Sequence, residues 1–476
     1  MYLKYFLVIL ISMCFNFHLR AQKITLKINL RGVAESNITL LPLVGANAFK
    51  SIVAKEGVRN GTTTSFSVPH SELPGEFVLH FETKEKELST PSSSERRLFI
   101  SGQNLELWVN PPFCNNNDST WFQKGEKENT SYNQFALECG KEKAQISRLQ
   151  NFIMNNRNSS STLYQQGLKE YEKRLSQYNR WILAQATLHS DLFVSHTFRF
   201  QYLPMLALER NEAGKVQSVL DHYFDGIDFK DPLLLKTANL KEWMDGYVNI
   251  YGNMSKTEAL RDSLFTLAGK NSIEQARAGN PKIYGWMVDY FYAGYEAFGI
   301  RKGMAMLQKY IDDPKCLTSK KQQIIKRVDS MTRLAVGTLA PDFSINGLDG
   351  SIFNFHAYKG KAKYKLLLFW SADCEHCQQF IREIKPWYQD AANHQKLDLI
   401  ALSVDDTEAE VSQWGKTLKD LPGWIHLRAK GGIRSTIANQ YAILSTPVMF
   451  LVDSQSNRIR ALPDNLQQLT KYLEHQ

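Results

Sequence analysis

Residues 364–377, YKLLLFWSADCEHC, run a short apolar segment straight into two cysteines separated by two residues. A bounded apolar run of that length is the pattern of a strand buried on both faces. A helical pattern follows from 374 to about 391, and LDLIALSV (397–404) is a second buried strand. EAEVSQWGKTL then reads as helix, WIHLRA as short and extended, and IRSTIANQYAI as helical in its first part. PVMFLVDSQSNRIRAL predicts a strand, a polar turn and a strand, and DNLQQLTKYLEHQ a closing helix capped by Asp464 or Asn465. Upstream, GTLAPDFS opens the segment and GLDG at 347–350 marks a turn. Alternating strands and helices imply a central sheet with helices on both faces over residues 336–476.

The 476-residue chain has room for further domains, at roughly 100–200 residues each. Residues 22–112 read as β. KITLKINL alternates, and NITLLPLV, TTTSFSVP, EFVLHFET, RRLFISG and LELWVN follow between the turn signals Asn60-Gly61, Pro74-Gly75, Ser101-Gly102 and Pro111-Pro112. Short strands at such spacing predict a small antiparallel sandwich or barrel. Residues 113–130 are polar and read as a linker. From 131 to 335 the period becomes helical, with Leu168, Tyr171, Leu175, Tyr178 and Ile182 three or four residues apart. The aromatics of YGWMVDYFYAGYEAF (284–298) read as helical core rather than a binding face.

Residues 1–21 carry Lys4, an apolar run over 5–15 and Ala21 at a cleavage-compatible position. This is the pattern of a secretory signal, too short for a firm membrane span, with a retained anchor as the alternative. Met13 before Cys14 does not suit a lipid anchor. Cleavage near Ala21 would place the protein in the periplasm or another exported space, with no integral span in the mature chain. Without Lys4 and Arg20 the formal charge falls from +9 to +7, and residues 336–476 balance 15 Lys+Arg against 15 Asp+Glu. No basic run with interleaved aromatics is present, so nucleic-acid binding is not expected. Five cysteines follow the signal: Cys114, Cys139, Cys316, Cys374 and Cys377. Cys114–Cys139 could form a structural disulfide, with buried free thiols as the alternative.

Four chemistries could use the 374–377 pair. A closed zinc site needs a second ligand pair, and none stands near Cys374, His376 and Cys377. Covalent haem needs His directly after the second cysteine, where Gln378 stands. A purely structural bridge across so small a loop constrains the unfolded chain least. A strand leading into Cys-x-x-Cys and a helix favours redox chemistry instead. Cys374 at the helix N-terminus would be the nucleophile, its thiolate favoured by free N–H groups and the helix dipole. Cys377, one turn in, would be the resolving thiol. His376 could add positive charge beside the thiolate, or be an exposed spectator.

FWSADCEHC, STP at 445–447 and GTLAPDFS together resemble the thioredoxin-like superfamily, and within it the TlpA-like exported thiol-disulfide oxidoreductases. The resemblance covers residues 336–476, under a third of the chain. It implies a thioredoxin-like fold, a redox-active Cys374–Cys377 disulfide, a cis peptide bond before Pro447, and client contact through Thr446, Pro447 and Trp370. No metal or cofactor is implied. The sequence also departs from the family. Asp373 stands where Trp usually precedes the first cysteine, Arg382 where a helix proline is usual, and Leu368 and Phe380 where family members carry a buried acid. Glu375, His376 and Glu383 remain for proton transfer. The peroxiredoxin pattern requires Pro and Thr where Leu367 and Ser371 stand, so peroxidase activity is not expected.

The sequence therefore predicts an exported protein with an antiparallel β domain, a helical middle and a thioredoxin-like domain. Its expected activity is dithiol–disulfide exchange with protein substrates, mainly as a reductant of the cytochrome c maturation or disulfide-repair type. An upstream redox partner would be needed, and a homodimer is compatible with the chain. The alternative is an envelope binding or assembly module in which the thioredoxin-like domain only docks a partner.

Overall fold

A computed structural model describes residues 23–156 and 158–474. The candidate signal at 1–21 lies outside the described residues. The chain divides into two compact units, one running to Val288 and including Pro314–Thr318, the other comprising Asp289–Asp313 and Ser319 onward.

The first unit opens with eight strands: β1 (Ile24–Leu30), β2 (Glu35–Pro42), β3 (Val53–Arg59), β4 (Thr63–Val68), β5 (Gly75–Lys84), β6 (Ser92–Ile100), β7 (Leu105–Val109) and β8 (Trp121–Phe122). They form two four-stranded sheets, ordered β4-β1-β7-β8 and β3-β2-β5-β6. Alternation sets the inner faces. Ile24, Leu26, Ile28 and Leu30 point into the same core as Phe77, Leu79 and Phe81 of the other sheet. One pairing departs from the antiparallel expectation, because β7 lies parallel to β1. Between them the chain runs through the other sheet and returns on the free side of β1 in the same direction. β3 has almost no buried side chain, so no hydrophobic alternation marks it.

The 113–130 segment, read as a linker, is folded onto this domain. Cys114 joins the core between the sheets and β8 pairs with β7. The Glu126 carboxylate accepts from Asn129 N (2.9 Å) and Thr130 N (2.7 Å), closing the start of the next helix. The segment's polar side chains therefore serve as turns and caps.

Seven helices follow: α1 (Glu128–Asn155), α2 (Thr162–Leu188), α3 (Ser195–Phe198), α4 (Glu212–Asp221), α5 (Asn239–Met254), α6 (Glu258–Arg277) and α7 (Pro281–Ala297), with the division between the units falling inside α7. Tyr171, Leu175, Tyr178 and Ile182 form the expected buried stripe of α2. Tyr284, Phe291 and Tyr295 are buried, as core aromatics. Within this unit the β domain is locked to the helices by buried polar groups. Glu76 has no exposed surface, pairs with Arg97 Nε (2.7 Å) and accepts from Ala238 N (2.7 Å). Glu128 accepts from Phe193 N (3.1 Å) and Val194 N (2.8 Å).

The Cys114–Cys139 disulfide does not form. Cys114 packs between the β-sheets and donates to Glu95 O, whereas Cys139 packs among the helices beside Tyr178 Oη. Both are buried free thiols, and Cys316 is buried as well.

The second unit holds α8 (Arg301–Ile311) and α9 (Lys321–Arg333), then a hairpin of β9 (Ser344–Asn346) and β10 (Ile352–Asn354) across the 347–350 turn. Next come β11 (Tyr364–Trp370), α10 (Glu375–Gln389), α11 (Ala391–His394), β12 (Leu397–Ser403), α12 (Glu408–Thr417), β13 (Ile425–Arg428), α13 (Thr436–Gln440), β14 (Val448–Asp453), β15 (Ile459–Ala461) and α14 (Leu466–Glu474). The sheet order is β13-β12-β11-β14-β15, with β11, β12 and β13 parallel and β14 antiparallel to β11. Every residue of β11 is buried. Leu366, Leu368 and Trp370 face one core with Ile381, Ile384 and Leu469, while Leu367 and Phe369 face another with Phe343, Phe355 and Tyr441. Helices on both faces thus account for the unbroken apolar run. Leu334, just after α9, joins the second of these cores, and Arg327 Nη1 donates to Ala442 O, so the end of the helical region packs as part of this unit. Asn465 caps α14 through Gln468 N (2.9 Å).

Candidate active site

β11 ends at Trp370, and three residues carry the chain to Cys374 at the N-cap of α10. Cys374 has extended backbone angles (φ −91°, ψ 116°), and its sulfur accepts from Cys377 N at 3.2 Å. A sulfur in this position takes the place of a capping oxygen and faces the positive end of the helix. Cys374 is partly exposed, while Cys377, one turn on, has no exposed surface. Both are thiols here.

The environments of the two sulfurs differ in sign. Partial burial pushes the Cys374 thiol up, but hydrogen bonds from the Cys377 and Thr446 side chains and from the Cys377 and His376 backbone outweigh it. Its pKa therefore falls below the ordinary thiol value. Burial, reinforced by the neighbouring Cys374 sulfur, pushes Cys377 up to about 12. One exposed sulfur suited to carry negative charge thus sits beside one buried sulfur that keeps its proton.

The Thr446–Pro447 peptide bond is cis. Cys374 Sγ donates to Thr446 O at 3.4 Å. Both residues of this loop are partly exposed, so a chain lying beside Cys374 could reach them. Glu375 and His376 are exposed on the first turn of α10, and it is the backbone N–H of His376 that acts on Cys374.

Trp370, expected to contact a client, lies elsewhere: it is 0% exposed and packs in the same core as Cys377. As the last residue of a strand covered on both faces, it has no route to the surface. Leu368 and Phe380 are buried in that core too, so neither position supplies a carboxylate below Cys377.

One group escaped the sequence reading. Asp405, two residues beyond β12, is 0% exposed. Its Oδ1 accepts from Ser371 Oγ (2.6 Å) and Ala372 N (3.1 Å), and its Oδ2 from Ser403 Oγ (2.7 Å). In the sequence it stands in the acidic run DDTEAE, where nothing separates it from its exposed neighbour Asp406. Among the described residues there is no cluster of three or more His, Cys, Asp or Glu side chains suited to a metal, and no helix long and apolar enough to cross a membrane.

Comparison with known proteins finds similarity over this C-terminal region. The model of a thioredoxin-like family matches residues 361–459. The thiol-disulfide oxidoreductase ResA of Bacillus thuringiensis is 26% identical over 147 residues, covering 30% of this chain and 79% of that protein. Solved structures with similarity include the thioredoxin domain of a thiol-disulfide oxidoreductase from Bacteroides vulgatus (23% identity, 30% of this chain and 97% of that one, TM-score 0.26). A thioredoxin-like protein from Bacteroides caccae is 17% identical, covering 58% of this chain and 98% of its own (TM-score 0.38). The five-stranded sheet, the cysteine-capped helix and the family match over residues 361–459 together show a thioredoxin-like domain at the C-terminal end of this chain, similar to proteins named as thiol-disulfide oxidoreductases.

Proposed function

We propose that Cys374 and Cys377 form a dithiol–disulfide centre that exchanges with protein substrates, chiefly as a reductant. The observation that carries this reading is the asymmetry of the pair: a partly exposed Cys374 with lowered pKa beside a buried Cys377 held near 12. The Cys374 thiolate attacks one sulfur of a client disulfide. A Cys374–client bond forms, the client S–S bond breaks, and the departing sulfur takes up a proton. Cys377 then gives up its proton and attacks Cys374, releasing the second client sulfur, which is protonated in turn. Two electrons and two protons pass to the client, and a Cys374–Cys377 disulfide remains. An upstream dithiol partner must reduce that disulfide to close the cycle.

Thr446 and Pro447 are the proposed client contacts, with the client backbone beside the mixed disulfide. Glu375 and His376 are proposed to handle protons and charge at the exposed sulfur. The apolar segment at 5–15 supports an exported location, where reduction of this kind serves cytochrome c maturation or disulfide repair.

The trapping variant Cys377→Ser tests the reading. Mixed with a peptide disulfide, it should accumulate a covalent adduct at Cys374, read by mass spectrometry, that wild type resolves. If instead Cys374→Ser retains the protein's effect in cells, the docking-module alternative is the better account.

A further inference from the structure

We propose that Asp405 is a positioning residue for this centre: its buried carboxylate clamps the Ser371–Ala372 turn that presents Cys374. The inference rests on Cys374 being the reactive thiol.

Asp405 lies at the end of β12, next to β11 in the sheet, with Trp370 opposite Ser403. Val404 N donates to Trp370 O (2.9 Å), carrying the ladder to the last residue of β11. Beyond that point no sheet bond holds the 371–373 turn, and the carboxylate takes over. It binds the Ser371 hydroxyl and Ala372 N, and Ser371 Oγ in turn accepts from Asp373 N (3.2 Å). Cys374 N closes the turn on Ser371 O (3.3 Å), and Gln378 of α10 donates to Ala372 O (2.8 Å). Every residue from Ser371 to Cys374 is thus tied directly or through one bond to Asp405.

The anchor is itself held. Asp405 N donates to Ser403 Oγ, and Arg428 Nη1 donates to Asp405 O. Next to it, Asp406 Oδ1 accepts from Gly431 N (2.9 Å). Gly432 (φ +60°) sits so close that an added Cβ would lie 2.8 Å from Val404 O. This position can therefore hold only glycine without displacing the strand end. A buried carboxylate is costly unless its oxygens are satisfied, and here three donors from two segments satisfy it. Cys374 depends on the turn because its sulfur must sit at the N-cap, within reach of the first N–H groups of α10.

Two effects of Asp405 on Cys374 oppose each other in sign. As a clamp, it keeps the sulfur on its donors and favours thiolate. As a bare negative charge, it would disfavour thiolate. Substitutions separate them. Asp405→Asn keeps an oxygen for Ser371 and Ala372 but removes the charge, whereas Asp405→Ala removes the clamp. The readout is the pH dependence of Cys374 alkylation by iodoacetamide in the reduced protein, with cysteine sites identified by mass spectrometry.

The clamp predicts an apparent Cys374 pKa about one unit higher in Asp405→Ala, a tenfold lower thiolate fraction below the pKa. Asp405→Asn should stay within about half a unit of wild type. If Asp405→Ala does not fold, Ser371→Ala removes one link and should shift the profile in the same direction, by less. An unmoved or lowered profile in folded Asp405→Ala (or in Ser371→Ala, where Asp405→Ala does not fold), or a rise in Asp405→Asn as large as that in Asp405→Ala, overturns the clamp. If wild-type Cys374 itself reacts no faster than an ordinary thiol, it is the underlying reading of the centre that fails.

Discussion

Limiting alkylation of the reduced protein probes the thiol asymmetry with a calculable outcome. Cys377 is held near pKa 12, so at pH 7 only about one molecule in 100,000 carries that thiolate. Cys374 lies below 9.0, so at least about one in 100 does. The thiolate populations therefore differ by at least about a thousandfold. A more basic thiolate is intrinsically more nucleophilic, by about 16- to 32-fold over three units at a Brønsted slope of about 0.4–0.5. The net preference for Cys374 is then at least about thirtyfold. Full burial of Cys377 adds to it. Less than one equivalent of iodoacetamide, followed by peptide mapping, should label Cys374 almost alone. Cys114, Cys139 and Cys316 should react only after unfolding, since all are buried. Comparable labelling of 374 and 377, or Cys377 reacting first, would refute the reasoning. The labelling rate should climb tenfold per pH unit and level off below pH 9.0, because the Cys374 pKa is lowered.

Two stability predictions concern buried charges. Lys365 Nζ, fully buried, donates to Phe355 O, Tyr358 O and Asn457 Oδ1, and burial pushes its pKa down to about 8. Between about pH 8 and about 10.4 the unfolded chain binds more protons at this site, so stability rises with pH by up to about 3 kcal/mol. Urea midpoints of wild type and Lys365→Met should therefore diverge in favour of wild type as pH rises; a constant difference contradicts this. In the first unit, Glu76→Ala should cost about 2 kcal/mol, since it leaves the buried Ala238 N without its acceptor and Arg97 with Glu242 as its remaining carboxylate, and Glu76→Gln should cost less. Equal melting temperatures for wild type and Glu76→Ala would count against that ion pair as an anchor.

The sequence displayed best whatever depends on burial. β11 and β12 read as strands because both faces are covered, and α10 read as a helix because apolar residues recur along its buried side. The cysteine pair was legible because its spacing is local. β3 was not, because its residues VAKEGVR are mostly exposed and give no period. The parallel β1–β7 pairing was hidden because it depends on where a distant segment returns. Asp405 and Lys365 did not stand out in the sequence for one reason. An ionisable residue in a strand or just past its end looks solvated until the partners from other segments, Ser371 and Ala372 for Asp405 and Phe355 and Asn457 for Lys365, are in place. Trp370 matched a motif position, yet its contacts are those of a core residue.

The central claim is that Cys374 and Cys377 interconvert between dithiol and disulfide and deliver electrons outward. Equilibrating the protein against defined thiol buffers and quantifying the 374–377 disulfide measures this directly. The account predicts a reversible two-electron couple at or below about −270 mV, the range of a reductant. A couple near about −120 mV would make the protein a disulfide donor, and no reversible couple at all would contradict a redox role for the pair.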